Sequence, residues 1–257
     1  MREVRKLLPA EELLYYADSA YCPYGIKPPE FIRARAFAIG DFLLSKGVKL
    51  IVIASNTTSV ASLDAVRERY NIPVIGVEPA VKPAALATRN GTIGVLATGV
   101  TLEGQRFNNL VERFGDGVKV YTQPCPGLVE LVEAGKLESP ETEVLLGHYL
   151  DPLLARGVDT IVLGCTHYPF FRPLVEKLSG NGVRVIDTGD AIARQVARVL
   201  KNDDLDTDKK LPGKEEFFTS GDPVEVEPVI RLLWGNPELK VRRLTFSTPT
   251  YFTINGT

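Results

Sequence analysis

A thiol, a hydroxyl and an imidazole stand together in GCTHYP, Gly164 to Pro169. Cys165 and His167 are two positions apart, and an imidazole that close can take a proton from a thiol or favour the thiolate. An unperturbed cysteine has a pKa near ~8.5, so only a few per cent is ionised at neutral pH unless a base or the amides of a turn help. The competing reading of Cys165 is a small buried apolar residue. His167, one of only two histidines, tips the balance to a reactive thiol, and the chemistry available is proton transfer or nucleophilic attack.

The surroundings of Cys165 occur twice. KGVKLIVIASNTTS at 46–59 and RGVDTIVLGCTHYP at 156–169 align at an offset of 110 positions, so that Gly47 matches Gly157, Ile51 matches Ile161, and Ser55 falls where Cys165 stands. Ser55, Asn56, Thr57 and Thr58 offer hydroxyl and amide groups that can bind a carboxylate, or that can simply cap a helix. CPYGIKPP at 22–29 is a turn signal in which Gly25 permits close backbone approach and Lys27 adds a positive charge; a plain surface loop is the alternative. His148, alone in a helical pattern, and Cys125, in PCPG without an acid or base nearby, read as structural.

Positioning these groups requires strands that end at them. LLYYAD (13–18), LIVIAS (50–55), IPVIGV (72–77), TIGVLA (92–97), VKVYTQ (118–123), TIVLGC (160–165) and VRVIDT (183–188) are apolar runs separated by helical spacing, the pattern of a parallel sheet covered on both faces. PEFIRARAFAIGDFLLSKG (29–47) predicts a helix stopped by Gly47. The next strands keep nearly the same spacing, which predicts two similar α/β halves. Ligands of such sheets gather beyond the carboxyl ends of the strands, where both SNTT and CTHYP lie. The charged stretch KNDDLDTDKKLPGKEE (201–216) reads as a linker before a strand at EFFTSGDP, and TPTYFTINGT as a tail.

Composition narrows the function classes. The chain has 257 residues, 44% hydrophobic and 24% charged, with a net charge of −2, which gives no broad basic footprint for nucleic acid or an anionic membrane. A small-molecule substrate is expected instead. No apolar run approaches the ~20 residues of a membrane span, and MREVRKLLPAEELL lacks the apolar core and cleavage site of a signal peptide, so a cytoplasmic location is expected. Cys22, Cys125 and Cys165 are too few and too scattered for a disulfide framework. The three cysteines and two histidines lack close ligand spacing, which argues against zinc, and neither GxxxxGK[ST] nor GxGxxG occurs.

The set YYADSAYCPYG, VIASNTTS, GVEPAVKPA, GVLATGVT, VELVEAG and LGCTHYP, with the late FFTSGDP, resembles the cofactor-independent aspartate/glutamate racemase family, and glutamate racemase in particular, over residues 4 to 246. The resemblance implies an α/β fold of two pseudo-symmetric parallel-sheet domains, placed at 1–79 plus 190–257 and at 80–189. It implies an isomerase that interconverts L- and D-glutamate between two thiols without pyridoxal phosphate or metal. Such an enzyme supplies D-glutamate for peptidoglycan and acts in the cytoplasm, and a homodimer is one arrangement it allows.

Carried over by motif, Cys165 is the thiol that acts on L-glutamate, with Thr166 and His167 binding substrate beside it, and Ser55 stands at the first thiol's position. Tyr24 and Gly25 match the PYG substrate contact, Asn56 and Thr57 the CNT contact, and Thr101 a further substrate-binding threonine. Glu133 matches an acid that assists the histidine; a solvated charge at a helix end is the equal alternative.

Two departures bear on activity. The family's opening strand and DSGVGG loop do not precede MREVRKLLP, which would leave the neighbouring strands with unpaired backbone and an exposed apolar edge. Ser55 is too weak an acid to serve as a standing base, so racemisation is expected to be impaired. The alternatives are an inactive glutamate-binding relative, or a racemase of aspartate or another amino acid.

Overall fold

The computed structural model describes residues 1–115 and 117–246; the expected tail, TPTYFTINGT, lies outside them. The chain separates into two compact units, one of Met1–Ile53, Ala61–Gly76 and the described chain from Ile192, the other of Ala54–Val60 and Val77–Ala191. The short segment that carries Ser55 thus groups with the unit that carries Cys165.

In chain order the elements are α1 (Arg2–Leu7), β1 (Leu13–Ala17), α2 (Pro29–Ser45), β2 (Ile51–Ile53), α3 (Asn56–Arg69), β3 (Val74–Gly76), α4 (Val81–Ala87), β4 (Thr92–Ala97), α5 (Gly99–Glu103) and α6 (Gln105–Phe114). They continue as β5 (Lys119–Pro124), α7 (Leu128–Glu133), α8 (Pro140–Leu154), β6 (Thr160–Leu163), α9 (Arg172–Ser179), β7 (Arg184–Ile186), α10 (Gly189–Asn202), β8 (Glu215–Thr219), α11 (Pro223–Trp234) and β9 (Val241–Arg243). Every strand pairing among the described residues is parallel, as apolar runs separated by helices demand.

The second unit carries one sheet in the order β5-β4-β6-β7. All six residues of β4 are buried, because a central strand covered on both faces has no side for polar residues. Ile93, Val95, Ala97 and Val162 pack there with Ala84 and Phe107 from the helices.

In the first unit the strands form two ladders, β1-β8-β9 and β2-β3, so β1 and β2 are each the edge of their own ladder. Apolar side chains from both ladders nevertheless pack together, although every residue of β1 stays only partly buried. Val4 of α1 and Leu8 pack in one cluster with Leu13, Leu50, Val52, Ile75 and the α10 residues Ala193, Val196 and Leu200. Side-chain burial rather than a backbone ladder joins the two sets of strands, at roughly 25 cal/mol for each Å² of apolar surface removed from water.

The sequence repeat is a structural repeat at the helix ends. After α2, Gly47 at φ +75° donates to Leu44 O at 2.9 Å and Val48 N–H to Leu43 O at 3.5 Å. After α8, Gly157 at φ +74° donates to Leu154 O at 2.9 Å and Val158 N–H to Leu153 O at 3.3 Å. Both copies thus turn through a left-handed glycine into the next strand. β2 and β6 end earlier than their apolar runs, at Ile53 and Leu163, and so Ser55 and Cys165 each lie two positions beyond a strand.

Candidate active site

Cys165 is held by a turn with little freedom. The Gly164 N–H donates to Leu96 O of β4 at 2.7 Å, and a Cβ at Gly164 would meet that same carbonyl at 2.8 Å, so only glycine lets β6 leave the sheet this close to its neighbour. On the other side the Tyr168 N–H donates to Cys165 O at 3.0 Å, and the buried Tyr168 hydroxyl donates to Cys125 O at 3.2 Å. Burial, followed by the nearness of Cys165, pushes the Tyr168 phenol well above its usual range, so it stays a neutral donor.

The Cys165 side chain is 9% exposed, and its Sγ lies 3.9 Å from His167 Nδ1. On the far side of the ring, His167 Nε2 is 2.8 Å from Glu133 Oε1 at the end of α7. A carboxylate that accepts from Nε2 fixes the neutral ring in the tautomer whose Nδ1 faces the thiol as an acceptor. Glu133, which sequence alone left equally readable as a solvated charge, is therefore partnered with the imidazole. The set can draw the thiol proton onto the ring and stabilise the imidazolium that results, which leaves a thiolate.

Ser55 precedes α3 as its N-cap: its Oγ accepts the Thr58 N–H at 3.2 Å and its carbonyl accepts the Ser59 N–H at 2.8 Å. One turn on, the Ser59 hydroxyl accepts the Val77 N–H at 3.0 Å. Asn56 is 4% exposed, and its Nδ2 donates to Gly164 O at 2.6 Å. Thr57 Oγ1 lies 3.1 Å from Thr98 Oγ1, which lies 3.0 Å from Thr101 Oγ1, and Thr57 and Thr101 are 3.5 Å apart. Three hydroxyls gathered at the starts of α3 and α5 suit the oxygens of a carboxylate.

Tyr24 and Gly25 belong to the other unit, in a short 3-10 turn at Tyr24–Ile26. The Tyr24 hydroxyl donates to Asp18 within the same unit. Asp18 also accepts from Arg35 at 2.8 and 2.7 Å, and the guanidinium lies 4.2 Å over the Tyr21 ring. Burial, and then the charge of Asp18, push the Tyr24 phenol well up.

The second unit thus carries Cys165, His167 and Glu133 as one set and Ser55, Asn56, Thr57 and Thr101 as another, linked by the hydrogen bond from Asn56 to Gly164. Thr166, half-buried, sits between Cys165 and His167 in the chain. Thr98 and Tyr168 were missed by sequence reading, although both lie inside quoted motifs. His148 is exposed on α8, and Cys125 is buried with its Sγ 3.2 Å from Gln123 O. Burial, with Cys165 nearby, pushes the Cys125 thiol well up, which suits the structural reading.

The family model for Asp/Glu/hydantoin racemases matches residues 1–196. The glutamate racemase of Pseudomonas aeruginosa is 52% identical over 239 residues, which cover 93% of this chain and 90% of that protein. Among solved structures, a glutamate racemase from Bacillus anthracis is similar with a TM-score of 0.85 at 29% identity, over 96% of this chain and 92% of that one. The Escherichia coli glutamate racemase, solved with L-glutamate and the activator UDP-MurNAc-ala, has a TM-score of 0.85 at 33% identity, over 95% and 92%.

Proposed function

This chain belongs to the Asp/Glu/hydantoin racemase family, among the glutamate racemases, and we propose that it moves the α-proton of glutamate chiefly through Cys165. The observation that carries this reading is the file of Cys165, His167 and Glu133, with separations of 3.9 and 2.8 Å.

Inversion at carbon needs a base on one face of the substrate and an acid on the other. His167 Nδ1 takes the Cys165 proton and Glu133 stabilises the imidazolium. The thiolate then removes the α-proton of L-glutamate, forming an S–H bond and leaving the electron pair on the α-carbon and its carboxylate. Hydroxyls of Thr57, Thr101 and Thr166 suit that carboxylate.

Return of a proton from Cys165 regenerates L-glutamate; D-glutamate requires a proton from the opposite face. In this family reading that face belongs to Ser55, whose hydroxyl is engaged as a helix cap and is a far weaker acid than a thiol. Loss of a positioned acid–base group costs roughly 10²–10⁴ in rate, so inversion is slow and exchange on the Cys165 face survives.

The reading includes glutamate as the small-molecule substrate, a cytoplasmic setting, and a product used in peptidoglycan synthesis. No helix among the described residues is long and apolar enough to cross a membrane.

The cap made by Ser55 also favours a second reading, a glutamate-binding relative that does not turn over. Chiral analysis of glutamate after incubation, with Cys165→Ser as control, tests the first reading: slow D-glutamate formation that vanishes in the variant supports it. Glutamate binding by calorimetry without any change at the α-carbon favours the second.

A further inference from the structure

Asn56 follows Ser55 and is expected to touch substrate, yet its side-chain amide already has a task. The Gly164 carbonyl can only accept, so the nitrogen of the Asn56 amide must face it, and the two atoms are 2.6 Å apart between residues 108 positions distant in the chain. The Gly164 N–H is fixed independently to Leu96 O at 2.7 Å. Both polar groups of the residue before Cys165 are therefore tied, one to β4 and one to the first turn of α3.

The Asn56 Oδ1 is consequently turned away from Gly164, and it is buried without a hydrogen-bond partner among the described residues. A buried acceptor left unmatched is costly unless its partner group is worth the constraint. We propose that Asn56 is a positioning residue for Cys165: its Nδ2 fixes the turn that presents the thiol. This inference rests on Cys165 being the reacting thiol and ties the start of one half of the repeat to the thiol of the other.

The test reads Cys165 without glutamate. Alkylation by iodoacetamide is followed residue by residue with peptide mass mapping, over a range of pH, in the wild-type chain and in Asn56→Asp and Asn56→Ser. Asp keeps the shape but removes the donor; Ser shortens the reach. N-acetylcysteine added to the same sample is the reference thiol.

Release of the turn should make Cys165 react about fivefold faster at fixed pH, the factor that one net hydrogen bond corresponds to, and should move the midpoint of its pH profile while the reference thiol is unchanged. An asparagine that serves only as a substrate contact leaves Cys165 alkylation as in the wild type, and that result overturns the proposal. Failure of both variants to fold overturns it too, because a strut for one turn does not hold up a domain. Absence of glutamate conversion by the wild type, with the alkylation change present, would instead count against the racemase reading alone.

Discussion

The Ser55 hydroxyl accepts the backbone N–H of Thr58 at 3.2 Å, so the side chain at the first thiol's position is the N-cap of α3. Chemistry and stability make opposite demands on this residue. Cysteine is a weak acceptor and a poor cap, whereas serine is a good cap and a poor acid–base group.

Replacing Ser55→Cys should therefore raise L-to-D conversion by about 10²–10⁴, the usual worth of a positioned proton-transfer group. The same change should remove about 1 kcal/mol of stability and lower the melting temperature by a few degrees. Chiral chromatography and a thermal melt read the two effects on one sample. A variant with unchanged conversion would show that Ser55 does not occupy the second face.

Glu133 acts on the thiol only through His167, from which it is 2.8 Å away. Glu133→Gln keeps the length of the side chain but loses the charge that stabilises an imidazolium. α-Hydrogen exchange should fall by about 10²-fold in kcat with KM little changed, the mark of an interaction gained on the way to the transition state. Glu133→Asp should restore part of the rate. An exchange rate equal to that of the wild type in Glu133→Gln would return Glu133 to a solvated charge.

Asp18 and Arg35 form an ion pair at 2.7 Å with side chains only 8% and 1% exposed. Breaking such a pair leaves a buried charge unmatched, which costs roughly 3–5 kcal/mol, whereas replacing both partners costs less. Urea unfolding of Asp18→Asn, of Arg35→Met and of the double variant should show the double variant to be less destabilised than the two single effects added.

Asp159 provides a pH prediction. Burial opposes its charge, but the Thr88 hydroxyl, the Asn90 and Arg89 amides and the Thr160 hydroxyl outweigh it and hold the carboxyl below its ordinary 3.8. A depressed value in the folded state contributes stability that is present above the unfolded value and is lost as pH falls through the folded one. Asp159→Asn should thus lower the melting temperature at neutral pH and flatten the acid limb below about pH 4. Parallel acid limbs in the two proteins would contradict this.

Much of the architecture was legible because it is carried by burial. TIGVLA is apolar on both faces and forms β4 over the same residues, and the repeat at Gly47 and Gly157 survives as two matching helix ends. β9 was not legible: VRR is short and charged, and it becomes a strand because Phe217, Phe218 and Thr219 of β8 offer it a ladder. α1 was likewise unread, since six residues are too few for periodicity to speak.

At the site, residue types and motifs pointed to Cys165, His167 and the SNTT segment. The role of Thr98 depends on three hydroxyls meeting from positions 57, 98 and 101, and the Asn56 contact with Gly164 spans the two copies of the repeat. Neither has a local signature. The cap formed by Ser55 does have one, and it was the structural alternative in the sequence itself.

The central claim is that Cys165 works one face of glutamate while Ser55 leaves the other without a competent partner. L-Glutamate incubated in deuterated water, with α-hydrogen exchange followed by NMR and D-glutamate by chiral chromatography, measures both faces at once. Exchange should outrun inversion, and both should disappear in Cys165→Ala. Fast exchange and inversion at equal rates with Ser55 in place, or exchange that persists without Cys165, would contradict the account.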